Sequence, residues 1–338
     1  MKRRRHIDVA AQLTLSPWRK AFVLALVLVS PLCVVHCSGI KSLAVNVPAV
    51  VGRTGFIADV PFADGADLRL DVFSPSNRRG APTIVFLHGG AWIEGSKEDF
   101  RFIGAVLADA GYLTVIPQYR LFPEVKFPTF VEDAAQAVAW ARRNAARYGG
   151  DPGRLFLMGH SAGAHIAALV AFDDRYLSAA GVSPGCVRGF IGISGPYALE
   201  LRTPFLHGVF PAEFSADDWQ PIRRVTPLAP PTLLLHGQSD WMVQAEESIA
   251  LGRRLKSLGV PVRVRLYSGR SHRDLITAWW PPLQHRTPVL QEASTFIDSV
   301  VKQSRSDCSR PETAPRLDTT VASLEIPAGE RNVSITRR

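Results

Sequence analysis

Leu155-Phe156-Leu157-Met158-Gly159-His160-Ser161-Ala162-Gly163 is an apolar run ending in a G-x-S-x-G turn, and the Ala-rich stretch Ala164 to Ala171 follows at once. A buried strand that feeds a sharp turn and then a helix is the setting in which a serine is displayed as a nucleophile. The reason is steric. A serine on so tight a turn adopts a strained backbone, and glycines two before and two after it keep Cβ atoms out of the crowded strand–helix contact. A Gly-rich turn with a capping serine would explain a bare G-x-S-x-G equally well, but the flanking strand and small-residue helix shift the balance toward Ser161.

Working outward, apolar runs at Thr83 to Leu87, Leu113 to Ile116, Phe190 to Ile193, Thr232 to Leu235 and Val262 to Tyr267 alternate with helical stretches near Phe100 to Ala110, Val131 to Tyr148, Ala245 to Leu258 and Val289 to Lys302. Runs apolar on both faces that alternate with helices predict an α/β domain with a mostly parallel, twisted sheet covered by helices on both faces. Ahead of them, Phe56 to Phe62 and Leu68 to Phe73 read as an antiparallel hairpin that opens the sheet. The domain is expected over residues 55–302. Tyr197 to Pro230 is rich in proline and aromatics and lacks a period. It is expected to form a small cap, with Phe205, Phe210, Phe214 and Trp219 as its apolar surface.

A serine hydroxyl needs a histidine to take its proton, and the histidine needs a carboxylate to hold its tautomer. Asp240 follows the strand Thr232 to Leu235, and His272 follows the strand Val262 to Tyr267. Alone, Asp240 would pass for a turn residue and His272 for a surface histidine; three such residues in the order Ser, acid, His beyond successive strands are hard to ascribe to chance. Glu246 and Glu247 are weaker candidates for the acid because they fall within a helix. His88-Gly89-Gly90-Ala91-Trp92 follows another strand, and its small residues can bring backbone N–H groups to a developing oxyanion together with the N–H of Ala162. His165 reads as structural, and His88 and His236 as braces of their loops.

Together with Tyr119-Arg120-Leu121 and Tyr148-Gly149-Gly150-Asp151-Pro152, these motifs make the chain resemble the α/β-hydrolase superfamily. The likeness is to its H-G-G-loop esterase branch, which includes hormone-sensitive lipase and the isoprenylcysteine methylesterases. The resemblance implies Ser161 as nucleophile, His272 as base, Asp240 as acid, and Gly90, Ala91 and Ala162 as oxyanion donors. It implies a carboxylesterase working through an acyl-enzyme on a small-molecule ester, with no cofactor and no metal. Arylformamidases and carbohydrate deacetylases would use the same machinery, and a non-catalytic binding protein on this fold is the alternative from another class. Ala91 replaces the common third glycine, and its methyl bears on how bulky a substrate fits.

The formal charge of +9 sits mainly at the ends of the chain, and the body retains only about +2 with no basic stripe interleaved with aromatics, so nucleic acid is not an expected partner. Cys33, Cys37, Cys186 and Cys308 form no C-x-x-C pair and no zinc spacing. A Cys186–Cys308 bond is conceivable in an oxidising compartment, but Cys308 lies in a polar, period-free tail, residues 303–338, and the expectation is against it. Lys2-Arg3-Arg4-Arg5 and Arg19-Lys20 precede an apolar run from Ala21 to Val35 that is short for a membrane span. Residues 1–37 therefore read as an export signal, with an uncleaved anchor as the alternative and possible membrane association. A lipoprotein reading at Cys37 ranks lower, because His36 stands where that pattern wants a small residue.

Overall fold

The computed structural model describes residues 55–63, 67–76 and 79–303. The leader read over residues 1–37 and nearly all of the tail read over 303–338 lie outside the described residues.

Eight strands form one sheet: β1 (Gly55–Pro61), β2 (Arg69–Ser74), β3 (Ala81–Leu87), β4 (Leu113–Pro117), β5 (Gly150–His160), β6 (Val187–Ile193), β7 (Thr232–Gly237) and β8 (Val262–Tyr267). Their order is β1-β2-β4-β3-β5-β6-β7-β8. Strand β2 runs antiparallel to β1 and to β4, and every other pairing is parallel. The hairpin, the parallel run and the strand positions agree with the sequence reading. β3, β4, β6 and β7 are buried along their whole length, which is why their sequences show no alternation.

The helices are α1 (Arg101–Asp109), α2 (Thr129–Asn144), α3 (Ala162–Phe172), α4 (Asp174–Ala179), α5 (Pro204–Val209), α6 (Ala216–Trp219), α7 (Pro221–Arg224), α8 (Ala245–Ser257), α9 (His272–Thr277) and α10 (Val289–Gln303). The sheet divides the core in two. α2 and α3 help fill one face with Phe130, Trp140 and Leu169, while α1, α9 and α10 cover the other with Ile103, Leu275 and Ile297. α3 is buried on every side, so its alanines serve close packing and not an amphipathic pattern. None of the described helices is long and apolar enough to cross a membrane.

Cys186, 1% exposed just ahead of β6, is disulfide-bonded. It is the one cysteine among the described residues, so its partner lies outside them. Period and composition could not reveal this, because a disulfide joins residues that no local pattern relates.

Candidate active site

Ser161 stands at the end of β5 with φ +54° and ψ −124°, a conformation rarely adopted by a residue with a side chain. Its N–H donates to the Ile193 carbonyl at 2.9 Å, which ties the turn to β6. A Cβ on Gly159 would overlap the Gly163 carbonyl, and one on Gly163 would overlap the carbonyls of Leu87 and His88. The two glycines of the motif are therefore steric requirements of this turn, and the hydroxyl is lifted above the sheet edge.

Asp240 follows β7 and is buried. Its Oδ1 accepts the N–H groups of Met242 at 3.0 Å and Val243 at 2.9 Å, and its Oδ2 accepts His272 Nδ1 at 2.7 Å. A second imidazole, His236, places Nε2 3.3 Å from the same Oδ2. Burial by itself would raise this carboxyl, but hydrogen bonds from His236, His272 and Val243 outweigh it and hold the group well below the usual carboxylate range. Sequence reasoning saw His236 as a brace and missed that it shares the acid. His272 is 5% exposed, and its ring lies 4.8 Å from that of His160, the residue before Ser161. It is not a loop residue as read from the sequence but the first residue of α9. Ser271 caps that helix through a reciprocal box with Asp274, and the Ser-x-x-Asp spacing was the signal that could have revealed it. Ser161 Oγ and His272 share no hydrogen bond here; in such sites this bond commonly forms only as substrate arrives.

The loop after β3 carries Gly90, Ala91 and Trp92 at φ +135°, +50° and +63° in succession. The Gly90 carbonyl turns back to accept the N–H groups of Ile93 at 3.0 Å and Glu94 at 2.9 Å. The N–H groups of Gly90, Ala91 and Ala162 find no acceptor in the described chain. A Cβ on Gly89 would come within 3.2 Å of the Ser161 Cβ, so the loop lies directly against the serine. Tyr119 fixes it by donating its hydroxyl to the His88 carbonyl at 2.7 Å and stacking on the His88 ring at 4.4 Å. Arg120, next in that motif, clamps Asp133 of α2 through two side-chain bonds of 2.9 and 2.6 Å. Through Tyr119 the Tyr-Arg-Leu motif thus supports the loop after β3.

His88, His160 and His165 are buried imidazoles. Burial lowers the first and third to about 4, and burial with the neighbouring His272 lowers His160 to about 3, from an ordinary 6.5. Neither ring nitrogen of His160 is hydrogen-bonded, while His165 Nε2 bonds the Trp219 carbonyl at 2.6 Å. Unfolding lets all three bind protons below pH 6.5, whereas the folded chain resists protonation until about pH 4. Stability should hold above pH 6.5 and fall as pH drops toward 4, by up to about 1.4 kcal/mol per pH unit for each imidazole. Urea midpoints at pH 7.5 and 5.0 measure this; equal midpoints would mean that the three rings do not stay neutral on folding.

A cleft of about 670 Å³ opens onto Ser161, Ala162 and Ala91, and is lined by Leu199, by Phe205 and Leu206 of α5, and by Trp241 and Met242 of the Asp240 turn. Of the four cap aromatics expected to form its wall, Phe205 does. Phe210 is instead buried against Trp92, His165 and Phe127, and Phe214 packs on Phe127. They anchor the segment and do not line the cleft. Glu247 accepts the Ala198 N–H at 2.5 Å and so holds the start of the same segment. Among the described residues no group of three His, Cys, Asp or Glu side chains is placed to hold a metal ion.

The BD-FAE family matches residues 70–180. The isoprenylcysteine α-carbonyl methylesterase of Arabidopsis thaliana is 32% identical over 239 residues, 64% of this chain and 56% of that protein. Esterase LipC of Mycobacterium tuberculosis is 32% identical over 222 residues, 59% of this chain and 55% of its own. The chain thus spans a little over half the length of these curated relatives. In structure, esterase 2 of Thermogutta terrifontis superposes with a TM-score of 0.62 at 24% identity, covering 73% of this chain and 95% of that one. A truncated carbohydrate esterase from gut microbiota gives 0.62 at 21%, covering 73% and 96%. The fold is that of the α/β hydrolases, and the sequence is similar to esterases of that fold. Within it, the relatives bear out the resemblance to the H-G-G-loop esterases.

Proposed function

We propose that this chain is a serine carboxylesterase that cleaves small esters through an acyl-enzyme. The observation that carries the reading is the 2.7 Å bond between Asp240 and His272 beside a serine held at φ +54°. The backbone N–H groups of Gly90, Ala91 and Ala162 have no acceptor in the described chain. Esterases and a methylesterase among its relatives lend support. Ser161 Oγ attacks the ester carbonyl and passes its proton to His272 Nε2, while Asp240 holds Nδ1–H and steadies the imidazolium. The N–H groups of Gly90, Ala91 and Ala162 take the charge that develops on the carbonyl oxygen. The alcohol leaves with the proton from His272. Water then attacks the acyl-enzyme with His272 again as base, releasing the acid and restoring Ser161. A small organophosphonate should label Ser161 alone, and His272→Ala should slow the labelling by orders of magnitude. Labelling elsewhere, or a rate indifferent to His272, would remove the reading.

The cleft wall should grade substrates by size. Shortening Phe205 or Leu206 to Ala should shift the acyl-length profile of kcat/KM toward longer chains, by roughly 1 to 3 kcal/mol between chain lengths. Phosphonate labelling should stay nearly as fast. An unchanged profile in both variants would place acyl selection elsewhere in the cleft.

Export is proposed on the basic leader and short apolar run, and the disulfide at Cys186 supports an oxidising compartment. Expressed in a Gram-negative host, the chain should appear outside the cytoplasm. Retention of full-length protein in the cytoplasm would refute this.

A further inference from the structure

We propose that Trp241 is a specificity-determining residue, and that the ester this site prefers carries an apolar group of about ring size beyond its reacting carboxyl. The proposal rests on the esterase reading above and deepens it. Asp240 is locked by the turn in which its Oδ1 accepts the N–H groups two and three residues on, at Met242 and Val243. Such a turn folds those two N–H groups inward and leaves the residue between them and the aspartate at its outer tip. That residue is Trp241, 81% exposed, followed by Met242 at 53%. Exposed single apolar residues are ordinary, but these are not scattered. Seven large apolar side chains are exposed among the described residues, and three of them, Phe205, Trp241 and Met242, line the cleft that opens onto Ser161.

The charges of that cleft do not compete with this reading. Glu200 pairs with Arg202 at 2.7 Å, and Glu247 is occupied by the Ala198 N–H. Glu246 and Glu247 both fall in the first turn of α8, where a carboxylate complements the helix N-terminus. The apolar surface offered to a substrate comes mainly from two separate parts of the chain, the acid's own turn and α5. Because Trp241 is tied through the Asp240 turn to the group that orients His272, a substrate that covers the indole is registered against the catalytic residues.

The test compares methyl propionate with methyl 3-cyclohexylpropionate and cyclohexylmethyl propionate, which carry the ring on the acyl or the alcohol side, in wild type, Trp241→Ala and Trp241→Phe. Trp241→Ala should lower kcat/KM roughly 10- to 50-fold for at least one ring-bearing ester, mainly through KM, with a clearly smaller loss on methyl propionate. Trp241→Phe should recover most of the loss. Phosphonate labelling of Ser161 should be unaffected, which separates this effect from damage to the Asp240 turn. Equal losses on all three esters, or no loss on either ring-bearing ester, would overturn the proposal while leaving the esterase reading intact. A wild type that neither takes label at Ser161 nor turns over any of the esters would overturn both.

Discussion

Replacing Ser161 by Ala is expected to lower kcat by roughly 10⁵ to 10⁶ with folding nearly unchanged. The size follows from what the hydroxyl alone supplies. Without it there is no acyl-enzyme, and His272 and the N–H groups of Gly90, Ala91 and Ala162 can only assist direct attack by water, which preserves a small residual rate. Folding should survive because the turn is held by backbone groups: the residue 161 N–H bonds the Ile193 carbonyl at 2.9 Å, and the residue 161 carbonyl accepts from Ala164 and His165 at 2.9 and 3.1 Å. The one cost is that alanine must hold the same φ of +54°. Turnover of a small ester at the wild-type rate by purified Ser161→Ala protein, with an unchanged melting curve, would remove Ser161 from the mechanism.

Asp240→Asn should cost on the order of 10⁴ in kcat. The carboxylate meets two backbone N–H groups on one oxygen and the His272 and His236 rings on the other. An amide cannot accept on both sides. If its nitrogen faces His272, it favours the tautomer with the proton on Nε2, which cannot take the proton of Ser161. If it faces the turn, the N–H groups of Met242 and Val243 lose their acceptor and the loop that carries Trp241 loosens. The variant should therefore also be less stable, by about 1 to 3 kcal/mol for the unsatisfied buried groups. Glu246→Gln should leave kcat within a fewfold of wild type, and Glu247→Gln should do far less harm than Asp240→Asn. A damaging Glu246→Gln alongside a mild Asp240→Asn would reverse the choice of acid.

Before any coordinates, local pattern determined a good deal. The apolar runs without alternation predicted buried parallel strands, and the glycines at 159 and 163 predicted a turn that their neighbours' carbonyls indeed make obligatory. The order Ser161, Asp240, His272 followed from the positions of β5, β7 and β8 along the chain, because parallel strands bring their following loops to one edge. These are features that a few adjacent residues encode by size, polarity and backbone freedom.

Other features were settled only when distant segments met. That Tyr119 holds the His88 carbonyl and that Cys186 is bonded depend on contacts between residues far apart in sequence, for which no local period exists. The cap aromatics divide in the same way: Phe205 and Phe210 are equally apolar on paper, yet one meets the cleft and the other is buried against Trp92. Composition gave both the same drive to leave water, and which surface each one covered was decided by the packing of Tyr197 to Pro230 on α3 and the loop after β3.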